Sequence, residues 1–135
     1  FEMRDRQAGE LGHGERQWLE IVMTLATRPK LLLLDEPGAG MSPEEKARTA
    51  TLIRQLADQM TILVIEHDLD FIARADHVVD LGPEGGEGGG RIVAQGSPRQ
   101  VARASKRSHT GRALAALFAS GRVGTPKEAR HGRAR

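Results

Sequence analysis

The groups in this chain best suited to chemistry are two acids and an imidazole, delivered at the ends of apolar runs. Leu31-Leu32-Leu33-Leu34 leads directly into Asp35-Glu36 and then Pro37, and Thr61-Ile62-Leu63-Val64-Ile65 leads into Glu66-His67-Asp68. An uninterrupted apolar run of this length reads as a parallel strand buried on both faces. In open α/β sheets the carboxyl ends of such strands face the crevice where ligands bind. One carboxylate of the Asp35-Glu36 pair can hold Mg²⁺ and the other can polarise water, while a histidine at the next strand end can reach a terminal phosphate. A core strand ending in a solvated acidic turn would read the same way, so the neighbouring segments decide.

Upstream, Leu11-Gly12-His13-Gly14-Glu15-Arg16-Gln17 opens a helical run in which Trp18, Ile21, Val22, Leu25 and Ala26 recur at helix spacing before Arg28-Pro29 ends it. Glycines ahead of a helix let backbone N–H groups approach an anion, and the helix N-terminus adds partial positive charge. The elements that must position these groups follow from periodicity: a helix over 15–27, a strand over 30–35, a helix over 42–60, a strand over 61–65 and a short helix over 69–74. A strand over 77–81, a glycine hairpin over 82–90, a strand over 91–95 and helices near 98–104 and 109–119 complete the pattern. Ser42-Pro43-Glu44-Glu45 supplies a cap, an N1 proline and an acidic first turn. Ala47, Ala50, Leu52, Ile53, Leu56 and Ala57 form the expected apolar face of that helix, with Lys46, Arg48 and Arg54 toward water. The glycine hairpin reads as a flexible turn rather than a phosphate site.

Taken in order, these features resemble the ATP-binding cassette (ABC) ATPases. Leu11 to Glu15 is similar to their signature loop, Leu31 to Glu36 to their Walker B strand, Pro37 to Ser42 to their D-loop, and His67 to their switch histidine. Residues from about 8 to 70 look most like the ATP-binding subunits of urea and branched-chain amino acid importers. Residues from about 73 to 118, with Ala75 to Gly96 and Ser108-His109-Thr110-Gly111-Arg112, are similar to the C-terminal end of the excision-repair ATPases, UvrA. The chain thus reads as a hybrid with its seam near 62–74.

The resemblance implies an α/β fold, a partial P-loop NTPase of the ABC type with parallel core strands and a C-terminal β-hairpin plus helices. It implies ATP and Mg²⁺ as cofactors, with Asp35 holding the metal, Glu36 orienting or deprotonating the attacking water, and His67 holding the γ-phosphate and sensing its loss. Gly12, His13, Gly14 and Glu15 would cap nucleotide bound to a partner cassette, and Ala39, Gly40 and Met41 would line the dimer seam. Gly12 stands where the family has a serine, so a hydroxyl contact worth about 1.5–3 kcal/mol is lost. A second ABC cassette and membrane permease subunits are the implied partners. Importer ATPase is the leading reading; a UvrA-like repair ATPase, or a non-catalytic remnant, is the alternative.

The sequence contains no Gly-x-x-x-x-Gly-Lys-Ser/Thr, and it opens on Phe1 rather than Met, which fits a chain whose upstream half is elsewhere. The isolated chain is therefore expected to be inactive. Absence of cysteine excludes disulfides, thiolate zinc sites and cysteine nucleophiles. No apolar run approaches the roughly 20 residues that span a bilayer, so a cytoplasmic protein, or one peripheral to the inner face of the membrane, is expected.

The net charge of +2 hides an asymmetry: Phe1 to Ser97 carries 10 Lys and Arg against 17 Asp and Glu, whereas Pro98 onward carries 10 against 1. The domain proper is expected over 1–120, followed by a basic, disordered tail over 121–135 that could make a weak contact with DNA.

Overall fold

A computed structural model describes residues 6–82 and 90–121, which fall into two compact units, 1–67 and 68–135. The apex of the glycine hairpin and the basic tail beyond 121 lie outside the described residues.

In the first unit, a short 3₁₀ turn at Ala8–Glu10 precedes α1 (His13–Ala26), β1 (Leu31–Asp35), α2 (Pro43–Leu56) and β2 (Thr61–Ile65). The strands β1 and β2 pair in parallel, Leu31 opposite Thr61 through Asp35 opposite Ile65, so both deliver their polar residues at the same sheet end. α2 starts where its cap demands: the Ser42 hydroxyl accepts from Glu45 N at 3.3 Å, and the Glu45 carboxylate accepts from Ser42 N at 2.8 Å. It stops at Leu56 rather than 60, because Asp58 N and Gln59 N donate back only three residues, tightening the last turn out of α geometry. The signature helix begins two residues earlier than its periodicity suggests, with Gly12 as N-cap.

Two expectations about burial are corrected. β1 and β2 are covered on one face only: Leu32 and Leu34 are buried, whereas Leu31, Leu33, Leu63 and Ile65 are 51–64% exposed. On the helices, Val22, Ala26 and Ala47 are exposed, and Thr49, polar and unforeseen, is fully buried. Its hydroxyl accepts from Trp18 Nε1 at 2.6 Å and donates to Met41 Sδ at 3.3 Å, which pins α1, α2 and the loop after β1 together.

The second unit holds α3 (Leu69–Ile72), β3 (Val78–Leu81), β4 (Ile92–Gly96), α4 (Pro98–Arg103) and α5 (His109–Ala119). β3 and β4 are antiparallel, with a register irregularity at Asp80/Leu81. Its core gathers Ala73, Ala94, Val101 and Leu114. α4 and α5 approach closely because Gly111 has no Cβ; one would collide with the Val101 carbonyl oxygen. Boundaries in this unit differ from the sequence expectation by at most two residues, as helix and strand ends commonly do.

Candidate functional site

The adjoining ends of β1 and β2 bring Glu36 and His67 together. Glu36 Oε1 lies 3.3 Å from His67 Nδ1, with both side chains more than half exposed. Glu36 adopts φ 44°, a left-handed conformation that costs a non-glycine residue about 1–3 kcal/mol. Two backbone hydrogen bonds hold it there: Glu36 N donates to Ile65 O at 2.9 Å, prolonging the parallel ladder, and Ala39 N donates to Glu36 O at 2.9 Å.

Behind this pair stands Glu66, whose role the sequence alone does not single out. The Glu66 side chain is 5% exposed, and its carboxylate accepts from Gly38 N at 3.2 Å and from His67 N at 3.0 Å. It therefore ties the loop after β1 to the strand end that carries the histidine. The signal was available in the alternation of β2: Glu66 shares parity with the half-buried Ile62 and Val64, and a carboxylate on an inward position requires partners.

Asp35 is exposed at the end of β1, and its carboxylate makes no hydrogen bond or ion pair among the described residues. Among those residues no cluster of three or more His, Asp or Glu could hold an ion by itself. A single free carboxylate fits Mg²⁺ of the kind that keeps its waters and takes the remaining oxygens from a phosphate.

The loop before α1 forms a second group. Gly12 N donates to Glu15 Oε2 at 2.9 Å, and the same carboxylate pairs with Arg6 at 2.9 Å through its other oxygen. The Gly12 hydrogen bond, helped by Arg6, holds the Glu15 carboxyl below its ordinary value of 4.5. An anion approaching Gly12 N would thus have to displace Glu15. The His13 ring lies against Gly40, which has φ 69°; a Cβ on Gly40 would sit 2.9 Å from His13 Cδ2. Gly14 is buried, and a Cβ there would meet Glu45 Oε1 at 2.9 Å. Ala39 and Gly40 are exposed, whereas Met41 is turned inward at 7% exposure.

A profile of the ABC transporter family matches residues 1–39. UvrABC system protein A of Micrococcus luteus is 47% identical over 116 residues, 83% of this chain and 12% of that protein. Its counterpart in Streptococcus pyogenes serotype M1 is 45% identical over 111 residues, 79% of this chain and 12% of the relative. UvrA2 from Deinococcus radiodurans superimposes with a TM-score of 0.69 at 37% identity, over 79% of this chain and 14% of that one. The chain carries an ABC ATPase domain that resembles UvrA.

An ATP-binding cassette of an ABC transporter also superimposes, with a TM-score of 0.61 at 28% identity over 91% of this chain and 44% of that one. The fold is therefore that of the P-loop NTPase ABC cassettes. A match covering 83% of the chain necessarily runs through 62–74, so the likeness to UvrA is not confined to the far side of that seam. The chain spans about 12% of the length of the curated UvrA relatives it matches. Of the importer and repair readings, the relatives favour repair.

Proposed function

We propose that this chain supplies the hydrolytic end of a nucleotide site in an ABC-type DNA-repair ATPase of the UvrA kind. The observation that carries this reading is the Glu36–His67 pair at 3.3 Å, on a chain that superimposes on UvrA2 at 37% identity and on the transporter cassette at 28%. In this role bound Mg-ATP supplies the reactive phosphoryl group and the metal charge that neutralises it. Asp35 would hold the metal, directly or through water. Glu36 accepts a hydrogen bond or proton from water. With Nδ1 facing Glu36, His67 is left with Nε2 to meet a phosphate oxygen, and Glu66 keeps the histidine backbone in place. Gly12, His13, Gly14 and Glu15, with Ala39 and Gly40, are proposed to face a second cassette. A DNA-directed role goes with the cytoplasm, and no helix among the described residues is long and apolar enough to cross a membrane.

The importer reading with permease partners takes second place, supported by the fold of the transporter cassette. Grafting separates the two. The chain is exchanged for the matching segment of the M. luteus UvrA and, in parallel, of the transporter cassette, and Mg-ATP hydrolysis is measured with and without damaged duplex DNA. The repair reading expects hydrolysis that responds to DNA in the first host and a weaker exchange in the second. Full activity in the transporter host with none in the UvrA host would reverse the order.

A further inference from the structure

We propose that the block formed by α4, the turn over 104–107 and the start of α5 is a binding face for the phosphodiester backbone of double-stranded DNA. The positive charge beyond Pro98 is not all in the tail. Arg99, Arg103, Lys106, Arg107 and Arg112 lie on described backbone, and residues 98–121 contain no Asp or Glu. Arg103, Lys106 and Arg107 converge on one shallow hollow, with Gln100, Ala104 and Ser105 completing its wall. These three cations are exposed and make no ion pair among the described residues. The acid that does reach this block, Asp80, is already engaged, accepting from Ser108 Oγ at 2.5 Å and Thr110 Oγ1 at 2.8 Å.

The backbone beneath the charges is fixed. Val101 and Leu114 are fully buried, Ser97 and Gln100 close a reciprocal cap on α4, and Gly111 permits the tight approach of α5. Preset cations lose less conformational freedom on binding than cations on a free tail. The simplest competing role is compensation of the negative end of α4, but a helix of six residues has a small dipole that one cation at its end can meet, and here three crowd it.

The chemistry of the face selects the partner. Phe118 is the only aromatic in this part of the chain, and the Arg99 guanidinium covers it at 5.3 Å from the ring centroid. Residues 98–121 hold no Tyr or Trp, so with Phe118 covered the exposed His109 imidazole is the one ring left to stack on an unpaired base, which favours duplex over single strand, and the hollow is lined by no large apolar side chain that could enter a lipid interface. Lys and Arg without base-reading neighbours bind phosphates irrespective of sequence. The proposal is independent of the ATPase reading, whose residues all lie in the other unit.

The test is fluorescence anisotropy of a labelled duplex with the full chain at two salt concentrations. Three releasing phosphate contacts give a log–log salt slope of about −2.7, so affinity falls about 40-fold between 50 and 200 mM salt. Truncation after Gly121 should change affinity by less than about threefold, while Arg103→Glu with Lys106→Glu and Arg107→Glu should weaken it at least about tenfold. The same three positions changed to Gln guard against misfolding by charge reversal, and Arg103→Lys with Arg107→Lys should retain binding, with circular dichroism confirming helix content in each. Failure of the full chain to bind at 50 mM salt would overturn the proposal. So would affinity that vanishes with the tail and survives the triple substitution, or tighter binding to anionic vesicles than to duplex.

Discussion

Glu36 meets His67 at 3.3 Å because Glu36 leaves the β region at the last step of its strand, taking φ 44° where Asp35 before it is still paired with Ile65. The strain is thus located on the residue that carries the chemistry. Glycine removes the penalty of that conformation together with the carboxylate. Glu36→Gly should unfold at a temperature equal to or above that of Glu36→Gln, the difference being worth about 1 kcal/mol. Thermal unfolding of the two variants side by side checks this, and a Gly variant clearly less stable than the Gln variant would show the backbone is not strained there.

Gly40 is doubly constrained, by φ 69° and by the His13 ring. Gly40→Ala should cost about 1–2 kcal/mol from the left-handed backbone, with a further contribution from the collision. Adding His13→Gly relieves the collision but not the backbone strain, so the double variant should recover part of the loss. Urea unfolding of the two single variants and the double variant gives the coupling; strict additivity would mean the contact does not exist in solution.

The hydrogen bonds from Ser42 hold the Glu45 carboxyl below its ordinary value of 4.5, and Gly12 does the same for Glu15. A carboxyl whose folded pKa is depressed contributes stability that is complete above the unfolded value and is lost as pH falls through the folded one. Glu45→Gln and Glu15→Gln should therefore lie below wild type in Tm at pH 6, and the gap should close below about pH 4. A gap independent of pH would assign the effect to packing instead.

The uncovered sheet face is the largest liability of the first unit. Leu31, Leu33, Leu63 and Ile65 are 51–64% exposed, and burying the rest of each would gain about 1–2 kcal/mol. The isolated chain should self-associate through this face, and Leu33→Lys with Leu63→Lys should restore a smaller species at equal concentration. Light scattering showing a monodisperse wild-type monomer would contradict this.

Much of the site was legible because strand ends and helix caps are written in residue types. Four leucines before Asp35-Glu36, four apolar residues before Glu66-His67, and Ser42-Pro43-Glu44-Glu45 each name an element and its boundary. Other features depend on tertiary context. Nothing in the type of Glu36 announces a positive φ, and nothing in the type of Met41 announces the Thr49 hydroxyl that donates to its sulfur. The four leucines suggested burial on both faces, but an apolar run specifies what a strand could bury and not what is present to cover it. The importer likeness around the signature and the UvrA likeness downstream came from one superfamily, so local motifs could not rank them; identity over most of the chain did.

Glu36, beside His67, is proposed to act on the attacking water. In the UvrA graft, single-turnover hydrolysis of Mg-ATP should fall at least about 100-fold in Glu36→Gln and comparably in His67→Ala, with Mg-ATP binding retained in both. Hydrolysis that persists unchanged in Glu36→Gln would contradict it.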